Sequence, residues 1–109
     1  MQIEKHSSLK IISLELEVYL YTEIDFDHVN KKPNNFCLIL FYNRHSKKIP
    51  ILRIDTAHGK PHIHKFYTQN NIVEKFEEEI SPQVYEKAKQ FIYSNWKTFL
   101  ETYKRKDLK

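Results

Sequence analysis

One short segment of the chain concentrates the side chains that could carry out acid–base chemistry. Three of the six histidines fall within seven residues, in the run RIDTAHGKPHIHK that begins at Arg53. An imidazole titrates near neutral pH, so it can take a proton from a nucleophile or return one to a leaving group. A guanidinium or an ammonium in the same run can stabilise charge on a phosphate. These residue types suit phosphodiester chemistry, and the candidate catalytic residues are Arg53, Asp55, His58, His62 and His64.

The position of the single glycine, Gly59, predicts how these side chains are arranged. Glycine adopts positive φ without steric cost, so a glycine between two strand patterns predicts a hairpin, here with the loop Ala57–Lys60. Across that loop the expected pairs are Asp55 with His62, Ile54 with Ile63 and Arg53 with His64. Paired residues share a face of the sheet. The sequence therefore predicts a cluster on one face, which we call the polar square: Arg53, Asp55, His62 and His64.

Two lysines and a metal are further expectations at this segment. Lys60 at the rim and Lys65 at the end of the run are candidate substrate-binding cations. His62 and His64 are two residues apart, about 6.8 Å along one strand. They could hold a divalent metal if Asp55 or His58 supplied a third ligand. Alternatively, Asp55 only orients His62 in a structural network.

The strands that must position the polar square are predicted from alternating hydrophobicity. Apolar residues alternate with polar ones from Ile12 to Leu20, which indicates one long first strand over about residues 10–24. A polar loop, DFDHVNKKPNN, separates it from FCLILFY, a second strand that is apolar on both faces. After a turn at 43–48, two further strands are expected at 49–55 and 61–68. A short fifth strand is expected around 72–76.

The pattern changes to a helical period at Ser81. Ser81 is a suitable N-cap and Pro82 a suitable first helical residue, and apolar residues recur at helical spacing as far as Tyr103. We expect one amphipathic helix ending at about Arg105, with Trp96 in the core. The predicted fold class is α+β, an antiparallel four- or five-stranded meander with one long C-terminal helix packed on one face, and residues 1–109 form a single domain.

Composition limits the classes of function. A chain of 109 residues is too short for a two-domain cofactor enzyme. Lys and Arg number 18 against 14 Asp and Glu, which gives a net charge of +4 and permits a polyanionic partner such as RNA or another nucleic acid. Cys37 is the single cysteine, so an internal disulfide is excluded. With no long apolar run, we expect a cytoplasmic protein without a membrane segment.

The run RIDTAHGKPHIH resembles a group of small prokaryotic proteins in which an Arg-Ile-Asp-Thr-Ala-His-Gly core precedes spaced histidines. These proteins look distantly like the TumE-type toxins of toxin–antitoxin pairs, which carry an Arg-x-Asp-Asn-Ala-Pro-His-His variant of the motif. The chain departs from that variant, because Thr56-Ala57-His58-Gly59 stands where the toxins have Asn-Ala-Pro-His. The resemblance implies an RNA-directed, translation-inhibiting role and a cognate antitoxin.

His62-Ile63-His64 also resembles the His-hydrophobic-His pair of HUH endonucleases, which binds a metal while a helix-borne tyrosine attacks a DNA phosphate. The tyrosines that this resemblance implies are Tyr85 and Tyr93, each with a lysine four residues further on. If the polar square faces away from the helix, neither tyrosine can reach it and this interpretation fails.

A third class of function is a non-catalytic module that binds nucleic acid or protein. The second strand is apolar on both sides, and Tyr19 and Tyr21 lie on the face that the helix does not cover. Aromatic residues on a sheet face can stack on bases or become buried against a partner. We therefore expect an exposed apolar patch that binds a second copy, as a homodimer, or an antitoxin-like protein.

Overall fold

The computed structural model describes residues 3–29, 31–58, 60–75 and 80–107, with the backbone alone described for residues 32–34, 57–58, 60 and 107. These residues form one sheet and one helix. The elements are β1 Ile3–Ser13, β2 Val18–Asp27, β3 Lys32–Arg44, β4 Lys47–His58, β5 Lys60–Lys65, β6 Ile72–Lys75 and α1 Pro82–Asp107. Every neighbouring pair of strands is antiparallel and the order in the sheet is the order in the chain. The α+β meander with a C-terminal helix is confirmed, with six described strands instead of four or five.

The extra strand arises because the expected first strand, residues 10–24, is wrong: the chain turns back on itself between Ser13 and Val18. The Ser13 hydroxyl accepts a hydrogen bond from the Leu16 amide at 3.1 Å. Glu17 then adopts a left-handed φ of 54°. Leu14 is 73% exposed, so the apolar alternation through this turn does not reflect burial.

The strands on either side of the expected DFDHVNKKPNN loop extend into it. Asp27, the last residue of β2, is buried, and its carboxylate accepts a hydrogen bond from the Val29 amide at 2.9 Å. This short Asx turn reverses the chain quickly, so β3 begins already at Lys32. The next turn is shorter, since His45 and Ser46 both have positive φ and join β3 to β4 in two residues.

The helix begins as expected. The Ser81 hydroxyl accepts a hydrogen bond from the Val84 amide at 3.1 Å, and Pro82 is the first helical residue. Trp96 packs against the core. The helix contacts β3 and β4, and the buried residues between helix and sheet are Leu20, Leu38, Leu40, Leu52, Ile54, Ile63, Val84, Ala88, Ile92, Phe99 and Leu100. In the part of the chain that the structure describes, no helix is long and apolar enough to cross a membrane.

Candidate functional site

The pairing of β4 with β5 brings the four residues of the polar square together. Asp55 pairs with His62, Arg53 with His64, and Ile54 with Ile63, as the sequence predicts. Ile54 and Ile63 are buried in the core below the helix. Because side chains alternate along a strand, the polar square lies on the opposite face of the sheet.

The hairpin that joins these strands differs from the expected four-residue loop. β4 continues to His58 and β5 starts at Lys60, and these two residues pair with each other. The register shifts between Asp55 and His58. This irregularity in β4 accommodates the shorter loop, and the pairs of the polar square are the expected ones. The side chains of His58 and Lys60, as well as Gly59 itself, lie outside the described residues.

Asp55 is the centre of the polar square. Its Oδ2 atom lies 2.8 Å from Nε of Arg53 and 3.6 Å from Nε2 of His64. The Asp55 side chain is 15% exposed, whereas that of Arg53 is 41% exposed. Among the described residues, Nε of Arg53 finds no well-directed hydrogen-bond acceptor, so its contact with Asp55 is an ion pair. A guanidinium has five N–H groups, so it can face the carboxylate and still bind an anion from solvent.

The surroundings of His64 favour its neutral form. Burial lowers the pKa of His64 below its ordinary value, and the positive charge of Arg53 lowers it further. The negative charge of Asp55 raises the pKa of His64, but this effect is smaller than the combined lowering by burial and Arg53. The imidazole also stacks on Phe66, with ring centroids 6.2 Å apart. A neutral imidazole beside a guanidinium can accept a proton near pH 7.

The polar square opens into a groove that sequence analysis did not find. The groove has a volume of about 430 Å³ and crosses from β4 over β3 to β2. It is lined by Glu23, Asp25, Asn35, Phe36, Cys37, Ile39, Arg53, Asp55 and Thr56. The signal for these residues is cross-strand register: Glu23 pairs with Cys37, and Cys37 pairs with Asp55. That register could be read only once the ends of β2 and β3 were known.

Cys37 does not act as a thiolate in this groove. Burial raises the pKa of its thiol, and the nearby Asp55 carboxylate raises the pKa further. A nucleophilic cysteine needs the opposite shift. Among the side chains that line the groove, Arg53 supplies the positive charge.

Lys65, a candidate substrate-binding cation in the sequence, does not lie with the polar square. It pairs with Leu52, a core residue, and so lies on the helix side of the sheet. Its ammonium lies 2.7 Å from Oε1 of Glu74. The reason is the alternation of strand side chains, which sends Lys65 and His64 to opposite faces.

The tyrosines of the HUH resemblance lie on α1, across the sheet from the histidines. The Tyr85 ring packs edge-on against the buried Phe36, with centroids 5.2 Å apart. Tyr93 is on the same helix and 37% exposed. The body of the sheet separates both hydroxyls from His62 and His64, so the geometry gives a tyrosine nucleophile no support.

The metal interpretation also lacks support from geometry. No group of three or more His, Cys, Asp or Glu side chains among the described residues is arranged to hold a metal ion. Oδ2 of Asp55 is already in an ion pair with Arg53. The side chain of His58, the other expected ligand, lies outside the described residues.

Fold and site together define a small antiparallel α+β protein with a cluster of Arg, Asp and His side chains on the face of the sheet opposite the helix. Over residues 4–109 the chain matches the family described as a domain of unknown function, DUF7718, and it belongs to that family. No curated protein and no solved structure was found to match the chain.

The pKa shift of His64 leads to a testable pH dependence. We expect the His64 ring to titrate below the ordinary histidine value of about 6.5 in the folded protein, as measured by NMR. The unfolded chain then binds more protons, so this contribution to stability is present above about pH 6.5 and is lost as pH falls through the folded pKa of His64. Replacing His64 with Gln should remove that part of the pH dependence of the urea midpoint. Titration of His64 at or above the ordinary value would contradict the expectation.

Proposed function

We propose that this protein cleaves single-stranded RNA at the polar square by acid–base catalysis, as the toxin-like component of a toxin–antitoxin pair. The observation that carries the proposal is geometric: Arg53 and His64 both lie beside Oδ2 of Asp55, and Arg53 and Asp55 line an open groove. The net charge of +4 suits a polyanionic substrate.

The proposed reaction assigns a role to each side chain of the polar square. Neutral His64 accepts the proton of a ribose 2′-hydroxyl, and the 2′-oxygen forms a bond to the adjacent phosphorus. The bond from phosphorus to the 5′-oxygen breaks, and His62 in its protonated form gives its proton to that oxygen. The products are a 2′,3′-cyclic phosphate and a free 5′-hydroxyl.

The other two residues stabilise and position the reacting groups. Arg53 binds the non-bridging phosphate oxygens, where negative charge grows in the transition state. Asp55 is a positioning residue, because one of its oxygens lies near both Arg53 and His64. His62 and His64 are two residues apart on one face of β5, which separates their Cα atoms by about 6.8 Å and leaves room for a phosphate between the side chains.

A protein that silences this activity would act most directly by covering the groove. The toxin resemblance implies such an antitoxin-like partner. Its contact surface would include the polar square, since an occupied groove admits no RNA.

The test is a cleavage assay on matched oligonucleotides. Purified protein is incubated with single-stranded RNA, and with the same oligonucleotide carrying deoxyribose throughout, in buffer with EDTA. We expect cleavage of the RNA to 2′,3′-cyclic phosphate ends and no cleavage of the DNA, since the nucleophile is the 2′-hydroxyl. Intact RNA with EDTA and also with Mg²⁺, Mn²⁺ or Zn²⁺ would overturn the proposal, and cleavage that EDTA abolishes would replace it by a metal-assisted one.

A further inference from the structure

An apolar groove lies beside the polar square on the same face of the sheet. Its volume is about 430 Å³, within the range of small-molecule sites. It is lined by Leu9, Tyr21, Ile39, Phe41, Lys48 and Pro50. Its residues come from β1, β2, β3 and β4, so the sheet itself forms the floor.

The apolar groove is continuous with the polar one. Ile39 lines both of them. It pairs with Tyr21 on one side and with Arg53 on the other. Neighbouring strands are about 4.8 Å apart, so Tyr21 is about 10 Å from Arg53 across the sheet. A ligand in the apolar groove that carries an anionic group can therefore place that group on the guanidinium.

The walls of the apolar groove are suited to a flat ring. Tyr19 and Phe41 already stack on each other, with ring centroids 5.4 Å apart and planes inclined by 21°. The Lys48 ammonium lies 5.5 Å from the centre of the Phe41 ring. Tyr21 is partly exposed beside Leu9, which is 55% exposed. A base that enters here meets aromatic and aliphatic side chains, with a cation at the rim.

We infer that this groove is a base-binding subsite, which holds the nucleobase of the nucleotide whose phosphate reacts at the polar square. The inference rests on the proposed function for the identity of the ligand. Charge complementarity favours a nucleotide: the groove is apolar, Lys48 lies at its rim, and Arg53 lies beside Ile39 on the next strand, so the phosphate of a bound nucleotide can reach a cation. Stacking on aromatic side chains accepts any base, so the subsite adds affinity without a strict sequence preference.

The subsite is tested with stable mononucleotide probes. Adenosine 3′-monophosphate and inorganic phosphate are titrated separately into the protein, with amide NMR shifts as the readout. We expect the nucleotide to bind about tenfold more tightly than phosphate, as one stacked base provides. Tyr21→Leu, which keeps apolar bulk but removes the ring, should bring nucleotide affinity close to that of phosphate. Phosphate binding should not change.

Two further variants provide an alternative to Tyr21→Leu and a control. Leu9→Ser opens the groove from the edge strand and serves if Tyr21→Leu fails to fold. Leu14→Ser is the control, because Leu14 is 73% exposed and lies in the β1–β2 turn, away from the groove. We expect the first variant to weaken nucleotide binding and the second to leave it unchanged.

The outcomes separate the subsite from the proposed activity. Tight nucleotide binding that depends on Tyr21, in a protein that leaves RNA intact, would support the subsite and overturn cleavage. RNA cleavage with equal affinity for nucleotide and phosphate, or with an unaltered KM in Tyr21→Leu, would overturn the subsite alone. A wild-type dimer that Leu9→Ser converts to a monomer in sedimentation would also overturn it, since the groove would then be an interface between two copies.

Discussion

Replacement of His64 by alanine is expected to lower the rate of RNA cleavage by about 100-fold or more, the effect of losing a general base. Burial and Arg53 both lower the pKa of His64, and in the proposed mechanism its removal leaves the 2′-hydroxyl without a proton acceptor. His62→Ala should cause a loss of similar size through the leaving group. Single-turnover cleavage of a labelled RNA measures both rates.

A matched control is available in the β3–β4 turn. His45 is exposed and has a positive φ, so His45→Asn removes an imidazole while keeping a residue that tolerates this backbone conformation. Its cleavage rate should equal that of the wild type. Far-UV circular dichroism should show the same fold in all three variants, because His62 and His64 lie outside the core. An unaltered rate in His64→Ala would remove His64 from the mechanism.

The geometry of the polar square could be predicted from the sequence because the β4–β5 register has few alternatives. Ile54 and Ile63 are apolar residues flanked by polar ones, and only a pairing that places both on one face buries both. A slip by one residue would bury a histidine in place of Ile63. The expected loop was wrong, yet the register was right, because burial of the isoleucines and not the loop length determines it.

The N-terminal part of the sheet could not be predicted in the same way. β1 is an edge strand whose residues 3–11 are all exposed, so its sequence carries no pattern of burial. Its polar stretch around Ser7 and Ser8 pairs with β2 mainly through the backbone ladder. Side-chain contacts add to this, among them the hydrogen bond between the hydroxyls of Ser8 and Thr22 at 2.8 Å and the ion pair of Lys5 with Glu23 at 3.5 Å. Hydrophobic periodicity indicates burial, so it does not identify an exposed strand that is held by backbone hydrogen bonds.

The grooves were missed for a related reason. Their lining residues come from strands far apart in the sequence, such as Glu23 in β2 and Asp55 in β4. To bring them together, the ends of β2 and β3 must be known to within one residue, because each one-residue error moves a side chain to the other face. The local pairing of one hairpin can be predicted from its own sequence. Prediction of a surface that spans four strands requires three correct registers, and an error in any of them misplaces the side chains.

The core on the helix side gives the prediction with the largest effect on stability. Ile54 is fully buried and lies between Arg53 and Asp55, on the face opposite to theirs. We expect Ile54→Ala to lower the free energy of unfolding by about 2–5 kcal/mol, through lost burial and the cavity left under the helix. Urea denaturation with an unchanged m-value would measure this loss.

The control is Leu14→Ala at a 73% exposed position, for which we expect a change within about 0.5 kcal/mol. A loss below about 1 kcal/mol for Ile54→Ala would contradict the packing of α1 over β4, because truncation of a fully buried isoleucine costs more than that. The same variant also separates stability from chemistry. Well below its unfolding temperature, Ile54→Ala should cleave RNA close to the wild-type rate, since the polar square faces away from the cavity. The activity should then disappear on warming at a lower temperature than in the wild type, together with the fold.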